Sequence, residues 1–296
     1  MKSINNKNPE TLYNELPLKS FEETMELFKE KHSVLKNRFE SGNIPEHLKG
    51  LDIEMALLKV TGPPYIDSIL GIGIYRSLSE NSMELLNDSL FTYNRLNYHR
   101  SLLISSDVDH SRFFEQVLES FAANDLPLIQ KIFCEEKGLC SEGNRFACTG
   151  SNLIISLMHD NREWREKALK GVENFLIKKN NKSDNAFISY LAALHNNEPR
   201  KAGKLLGELS SLYQKIKWIH DFKSPFLKIF SPVLHGLYNM AYHYLPGKSF
   251  SNIELPEAPH FLIDFTRFNM ENGFSPGKPA MNFKEELEGM NRFFII

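Results

Sequence analysis

The stretch Asn185-Ala186-Phe187-Ile188-Ser189-Tyr190-Leu191-Ala192-Ala193-Leu194-His195-Asn196-Asn197-Glu198-Pro199-Arg200-Lys201-Ala202-Gly203-Lys204-Leu205-Leu206 decides the fold class. Apolar residues recur at three- and four-residue steps, stop at the polar turn Asn196-Asn197-Glu198-Pro199, and resume with the same period from Arg200 to Ile216. Small Ala192, Ala193 and Ala202 lie beside large Leu194, Leu205 and Leu206, as two closely approaching helices require. The same grammar occurs twice upstream. Phe113 to Ala123 ends in Asn124-Asp125 and is followed by Leu126 to Lys137. Ser151 to Met158 ends in His159-Asp160-Asn161 and is followed by Arg162 to Lys178. From Asp125 to Asn161 is 36 residues, and from Asn161 to Asn197 is 36 again. Helix, tight polar turn and helix at a period in the mid-thirties is the arithmetic of tetratricopeptide-like solenoids. The Trp-Leu-Gly-Tyr signature of that repeat is absent, so the sequence predicts an all-α helical-hairpin array of divergent type.

Outward from this array, strand-like alternation is hard to find. Residues 1–18 read as a polar arm interrupted by Pro9 and Pro17. A helix is expected after Ser20, with Phe21, Met25, Phe28, His32, Leu35 and Phe39 on one stripe and Gly42 at its end. A second is expected over Pro45 to Val60, stopped by Thr61-Gly62-Pro63-Pro64. That break is the expected border between an N-terminal arm and helical pair, residues 1–62, and a main domain, residues 63–296. Further helices are expected over Tyr65 to Leu78, Met83 to Ile104, Phe226 to Tyr244 and His260 to Asn272. The final Phe283 to Ile296, ending in Phe293-Phe294-Ile295-Ile296, reads as a C-terminal capping segment docked onto the body.

Composition is that of an ordinary globular protein: 296 residues, of which 42% are hydrophobic, with 22 Phe and 10 Tyr. That excludes disorder for most of the chain. A formal net charge of −2 gives no global argument for binding nucleic acid, which needs surplus positive charge. The amino terminus lacks an apolar signal region, and the most apolar window, Pro64 to Leu78, is too short to span a bilayer and contains Asp67 and Arg76. Cys134, Cys140 and Cys148 form an odd set without a Cys-x-x-Cys clamp, so thiols are expected, and neither a disulfide framework nor a zinc site. A cytoplasmic protein without a membrane partner is the resulting expectation.

No catalytic constellation emerges. Gly71-Ile72-Gly73 lacks the third glycine and the preceding strand of a dinucleotide loop, and reads as a small-residue surface for helix approach. Walker, His-Glu-x-x-His and Gly-x-Ser-x-Gly motifs are absent. His235 and His243 share one expected helix, but eight residues rotate them about 80° apart and separate them by about 12 Å along the axis, too far for one metal ion. They read as polar-tipped core residues, with Tyr238. Asp107, Asp109 and His110 form the only tight acidic and histidine cluster, for which loop capping is the simpler reading over a cation site. Trp164 shares a stripe with Ala168, Val172 and Phe175, as a core residue or a partner anchor. Lys178-Lys179 through Lys182 read as a solvated loop. Expected catalytic, metal and cofactor-binding residues are therefore none, and no cofactor is expected.

Phe261-Leu262-Ile263-Asp264-Phe265, Glu271-Asn272-Gly273-Phe274, Gly277-Lys278-Pro279, Phe283, Glu286-Leu287 and Met290-Asn291-Arg292 resemble the ending of the immunity protein 49 family. The members of that family are helical antidotes encoded beside bacterial polymorphic toxins. The helices around Ala192 to Leu212 and Pro232 to Tyr244 also resemble its body, over roughly residues 65–296 and most strongly over 185–296. The resemblance implies an all-helical fold, no enzymatic activity, and tight binding to one cognate toxin. Under it, Gly273 and Asn291 are fold-keeping positions, and no toxin-binding residue is carried over.

Two functions follow as expectations. One is a cytoplasmic immunity protein that occludes the active site of a cognate toxin, its solenoid offering a concave surface to the partner. The other is a tetratricopeptide-like adaptor or regulator recognising a protein or peptide. For a toxin with a basic groove, Asp125, Asp160, Glu163 and Glu198 near successive turns form a candidate acidic edge, although acidic residues in first turns are also ordinary helix chemistry.

Overall fold

The computed structural model describes residues 8–104, 110–220 and 224–296, with the side chains of 110–112 left aside. The described chain is all α-helical, with short 3-10 helices and no strand among the described residues. In order the helices are α1 Pro9–Glu15, α2 Phe21–Glu40, α3 Ile53–Val60, α4 Pro63–Glu80, α5 Met83–Ile104, α6 His110–Ala122, α7 Leu126–Ile132 and α8 Arg145–Met158. They continue as α9 Arg162–Leu176, α10 Lys182–His195, α11 Pro199–Leu212, α12 Lys217–His220, α13 Pro232–Tyr244, α14 Gly247–Phe250 and α15 Ile263–Glu271. No helix among the described residues is long and apolar enough to cross a membrane.

The helices fall into two compact units. Unit 1 holds α1–α5 together with Pro276–Ile296, and unit 2 holds α6–α15.

In unit 1, Ser20 starts α2 by accepting the Glu23 amide on its hydroxyl (3.1 Å), and Glu22 and Glu23 place negative charge where the helix dipole is positive. Asp52 does the same for α3, accepting the Met55 amide (2.8 Å). The expected Pro45–Val60 helix is therefore two pieces, a 3-10 turn Glu46–Leu48 and then α3, because Asp52 supplies a new start. The polar arm also contains structure: Pro9 occupies the first turn of α1, Leu12 is buried, and Tyr13 stacks on Tyr75 at 3.9 Å. The Gly62-Pro63-Pro64 break ends α3 and opens α4, but α4 packs on α5, α1 and α2 inside the same unit. Residues 8–62 are thus part of a larger unit, and the expected border at 62 falls inside it.

The small-residue reading of Gly71 and Gly73 holds. A Cβ on Gly73 would collide with Ser89 of α5, so the two helices approach with almost nothing between them. α5 is buried along most of its length from Leu86 to Leu96, and its Ser89 and Thr92 hydroxyls donate to the carbonyls of Leu85 (2.7 Å) and Asp88 (2.8 Å) four residues back. On this helix the C-terminal segment docks. The Lys278 amide donates to Asp88 Oδ1 (2.8 Å), the Ala280 amide donates to Thr92 Oγ1 (2.7 Å), and Arg95 donates to the Phe294 carbonyl. The segment is a 3-10 helix, Glu285–Phe294, that buries Leu287, Met290, Phe293 and Phe294 and leaves Ile295 and Ile296 exposed. The segment docks, as expected of an apolar terminus, but it does so within unit 1 and short of its last two residues. Asn291 closes it, accepting the Phe283 amide (3.0 Å) and donating back to the Phe283 carbonyl (2.7 Å).

In unit 2, α6–α7, α8–α9 and α10–α11 are three helical hairpins. Their turns carry left-handed residues at Asn124, Asp160 and Asn197, with φ of 54°, 43° and 51°. Asn and Asp tolerate that conformation better than other residues with a Cβ. Two of the turns close with the same pair of hydrogen bonds: Asp125 to Ser120 (3.0 Å) and Asn124 to Phe121 (3.0 Å), then Glu198 to Ala193 (2.9 Å) and Asn197 to Leu194 (3.1 Å). Each pair satisfies carbonyls that a helix end leaves orphaned. α6 lies beside α8 and α8 beside α10.

Part of the hairpin surface is covered by a further helix. α13 packs on α6 and α11, Tyr190 of α10 donates to its Leu237 carbonyl (2.7 Å), and every residue from Pro232 to Ala241 is buried. A Cβ on Gly236 would collide with the Leu118 carbonyl, and Asn239 donates to the carbonyls of Phe121 (3.0 Å) and Ala122 (3.2 Å), finishing the end of α6. The expected Phe226–Tyr244 helix begins only at Pro232, capped by Ser231, whose hydroxyl accepts the Leu234 amide (3.2 Å).

These contacts predict an order of damage. Gly236→Ala places a methyl group against backbone that cannot yield and is expected to cost about 3 kcal/mol or more. Gly273→Ala meets nothing within 4 Å but strains a φ of 61°, for a cost of about 1 kcal/mol. Urea unfolding of both variants, followed by circular dichroism, checks the order, and a smaller effect at Gly236 would contradict the backbone contact.

Candidate functional site

The titratable residues singled out by sequence have separate fates. His235 is fully buried, stacked on Phe261 at 4.2 Å and on Phe230 at 5.0 Å. The Leu262 amide donates to its Nε2 (3.1 Å), which assigns the proton of the neutral ring to Nδ1. Burial, and then the neighbouring His260, push its pKa down to about 3. His243 sits elsewhere on α13, beside Phe121, Phe274 and Asn124, and burial takes it down to about 4. The two rings have different neighbours and do not converge, as their spacing requires. His260 stacks on Tyr213 at 4.7 Å and is pushed to about 4, chiefly by burial. Around His243 lies a polar knot: Asn124 donates to Asn269 Oδ1 (3.1 Å) and presents its own Oδ1 to His243 Nε2 (3.4 Å). These histidines are packing residues.

The candidate acidic edge does not form. Asp125 is buried and spends its carboxylate on the Leu128 amide (3.3 Å) as the N-cap of α7. Asp160 is exposed at a left-handed turn. Glu163 pairs with Lys167 (2.6 Å) and Glu198 with Lys201 (2.8 Å), so these two negative charges are locally balanced. Trp164 is half-buried at the start of α9, edge-on to His159 at 5.7 Å, while Ala168, Val172 and Phe175 on its stripe are buried. Lys178 and Lys179 are exposed, and Lys182 pairs with Glu208 (3.2 Å). Asp107, Asp109 and the side chain of His110 lie outside the described residues.

Comparison of the chain with protein-family models, curated proteins and solved structures found no match.

One chemical juxtaposition was not legible from the sequence. The loop before α8 folds back so that Cys140 Sγ and Cys148 Sγ are 3.0 Å apart. Both thiols point at the Glu142 carbonyl, Cys140 at 3.1 Å and Cys148 at 2.6 Å. Asn152 of α8 fixes the loop from two sides, accepting the Cys140 amide (2.7 Å) and donating to the Cys140 carbonyl (3.0 Å). Cys148 lines a surface hollow with Ser141, Arg145 and Lys167. Cys134 lines a different hollow, with Gln130, Glu135 and His159. The only sequence signal was a spacing of eight with Gly143-Asn144 between, a turn and a helix start that return the second thiol to the first.

The buried histidines set a pH dependence. Their folded pKa values lie below the ordinary value of about 6.5, so below that pH the unfolded chain takes up protons that the folded chain refuses. Their stabilising contribution is complete above about 6.5 and is lost as pH falls toward 4 and then 3. For His235 the loss is about 1.4 kcal/mol for each pH unit. The urea midpoint is expected to fall between pH 7 and pH 5. Proton NMR is expected to show no titration of His235 over that range, and a ring titrating near its ordinary value would overturn its assignment to the core.

Proposed function

We propose that this chain is a cytoplasmic antidote that binds a cognate bacterial toxin and occludes its active site. The observation that carries the reading is the place of the residues that resemble the immunity protein 49 family. Gly273 ends α15 in a left-handed turn, where the Phe274 amide donates to the Asn269 carbonyl (2.7 Å). Phe274 stacks on Tyr242 at 3.8 Å. Met290 and Phe283 are buried, Asn291 ties Phe283, and Arg292 donates to both oxygens of Asp52 (2.6 and 2.7 Å). These residues hold the chain together, which leaves its exposed faces to match a partner. An inhibitor of this kind needs a stable frame and a binding surface, not a reactive centre.

The adaptor reading has the hairpin spacing in its favour. Against it stands the missing Trp-Leu-Gly-Tyr signature, and α13, packed on α6 and α11, takes up hairpin surface that either kind of partner would otherwise use.

Co-expression with the product of the gene immediately upstream, the expected toxin, tests the proposal. Growth is expected to recover by orders of magnitude in colony count, and the two proteins are expected to co-purify. Normal folding of this chain without rescue or complex would remove the antidote reading and leave the adaptor.

A further inference from the structure

We propose that Cys140 and Cys148 form a peroxide-sensitive dithiol that closes to an intramolecular disulfide. Three observations place it. The sulfurs are 3.0 Å apart, within about 1 Å of bonding distance, so small side-chain rotations join them. Asn152 holds the Cys140 backbone by two hydrogen bonds while Cys148 is fixed in the first turns of α8, so the encounter is built into the loop. Both residues are half-exposed, and Cys148 opens into a hollow with Arg145 and Lys167 on its rim, which admits a small polar oxidant.

The reaction balances with hydrogen peroxide as oxidant. The Cys148 thiolate attacks one peroxide oxygen, the O–O bond breaks, and the leaving hydroxide takes a proton to become water. Cys148 then carries a sulfenic acid. Cys140 attacks that sulfur, the S–O bond breaks, the S–S bond forms, and a second water leaves. Two thiols give up two electrons and two protons, and one peroxide becomes two waters. The product ties Cys140, in the loop, to the first turns of α8 and fixes the segment carrying Glu142. Cys134 faces a separate hollow and stays reduced.

The test uses the full wild-type chain, folded and unmodified, treated with hydrogen peroxide and then blocked at its remaining thiols. Titration is expected to find three reactive thiols before treatment and one after. Before blocking, the intact mass is expected to fall by two hydrogens, and dithiothreitol is expected to restore it. Cleavage after Lys137 and Arg145 separates the two cysteines, so the peptide holding Cys140 is expected to remain joined to that holding Cys148. Cys134→Ser is expected to leave this linkage intact, and Cys148→Ser to abolish it. Retention of all three thiols, a gain of oxygen without linkage, or a disulfide through Cys134 would each overturn the proposal.

Discussion

Unit 2 depends on one close approach, that of α13 to α6. With no side chain at Gly236, the two backbones meet at the Leu118 carbonyl, and Asn239 then reaches the carbonyls that end α6. A larger residue at 236 would push α13 away and leave those carbonyls buried and unbonded, a double penalty. The position of α13 in turn orients His235 among Phe230, Phe261 and Phe265, and so seats the segment leading to α15. Unit 1 applies the same constraint between α4 and α5 at Gly73 and Ser89. In unit 2, long-range hydrogen bonds from Asn239 accompany the contact that only a residue without a Cβ permits.

The helices and most of their ends were legible because local chemistry sets them. Ser20 and the turns around Asn124, Asp160 and Asn197 are read from residue type, since capping oxygens and left-handed tolerance belong to single side chains. The misses have the opposite cause. Asp52 interrupts an apolar run with a cap that also receives Arg292, a partner 240 residues away. The 3-10 form of Glu285–Phe294, which accompanies the Asn291 pair with Phe283, was not read from the sequence at all. That α13 would cover the hairpins was hidden as well, because hydrophobic period identifies a buried helix without naming what buries it. For candidate sites, the rotation between His235 and His243 separated the rings correctly. Asp125, by contrast, looked like surface charge and is a buried cap, since acidic residues at helix starts serve either role. The thiol pair depends on a loop path that no residue type encodes.

The fold divides its residues between frame and surface. Buried polar groups are spent inward: Asn124, Asn239 and Asn269 on one another and on helix ends, His260 on Ser210, and His195 on Ser156 and the Leu153 carbonyl. The outer face of α9 instead carries exchangeable exposed pairs, Arg162 with Glu166 and Glu163 with Lys167, which contribute little to stability. Such pairs can be replaced without disturbing the core.

Unit 1 is discontinuous in sequence, and this matters during synthesis. The ribosome releases α1 to α5 first, yet Phe28 and the exposed flank of α5 receive Phe283, Leu287 and Met290 only when the last segment emerges. Unit 2, whose helices are consecutive, has all its partners earlier. Helices α1 to α5 are therefore completed only after unit 2 has been made, and they wait with apolar surface uncovered while α6 to α15 emerge. Such an interval invites chaperone binding, and it makes premature termination near residue 276 more damaging than the few residues lost would suggest.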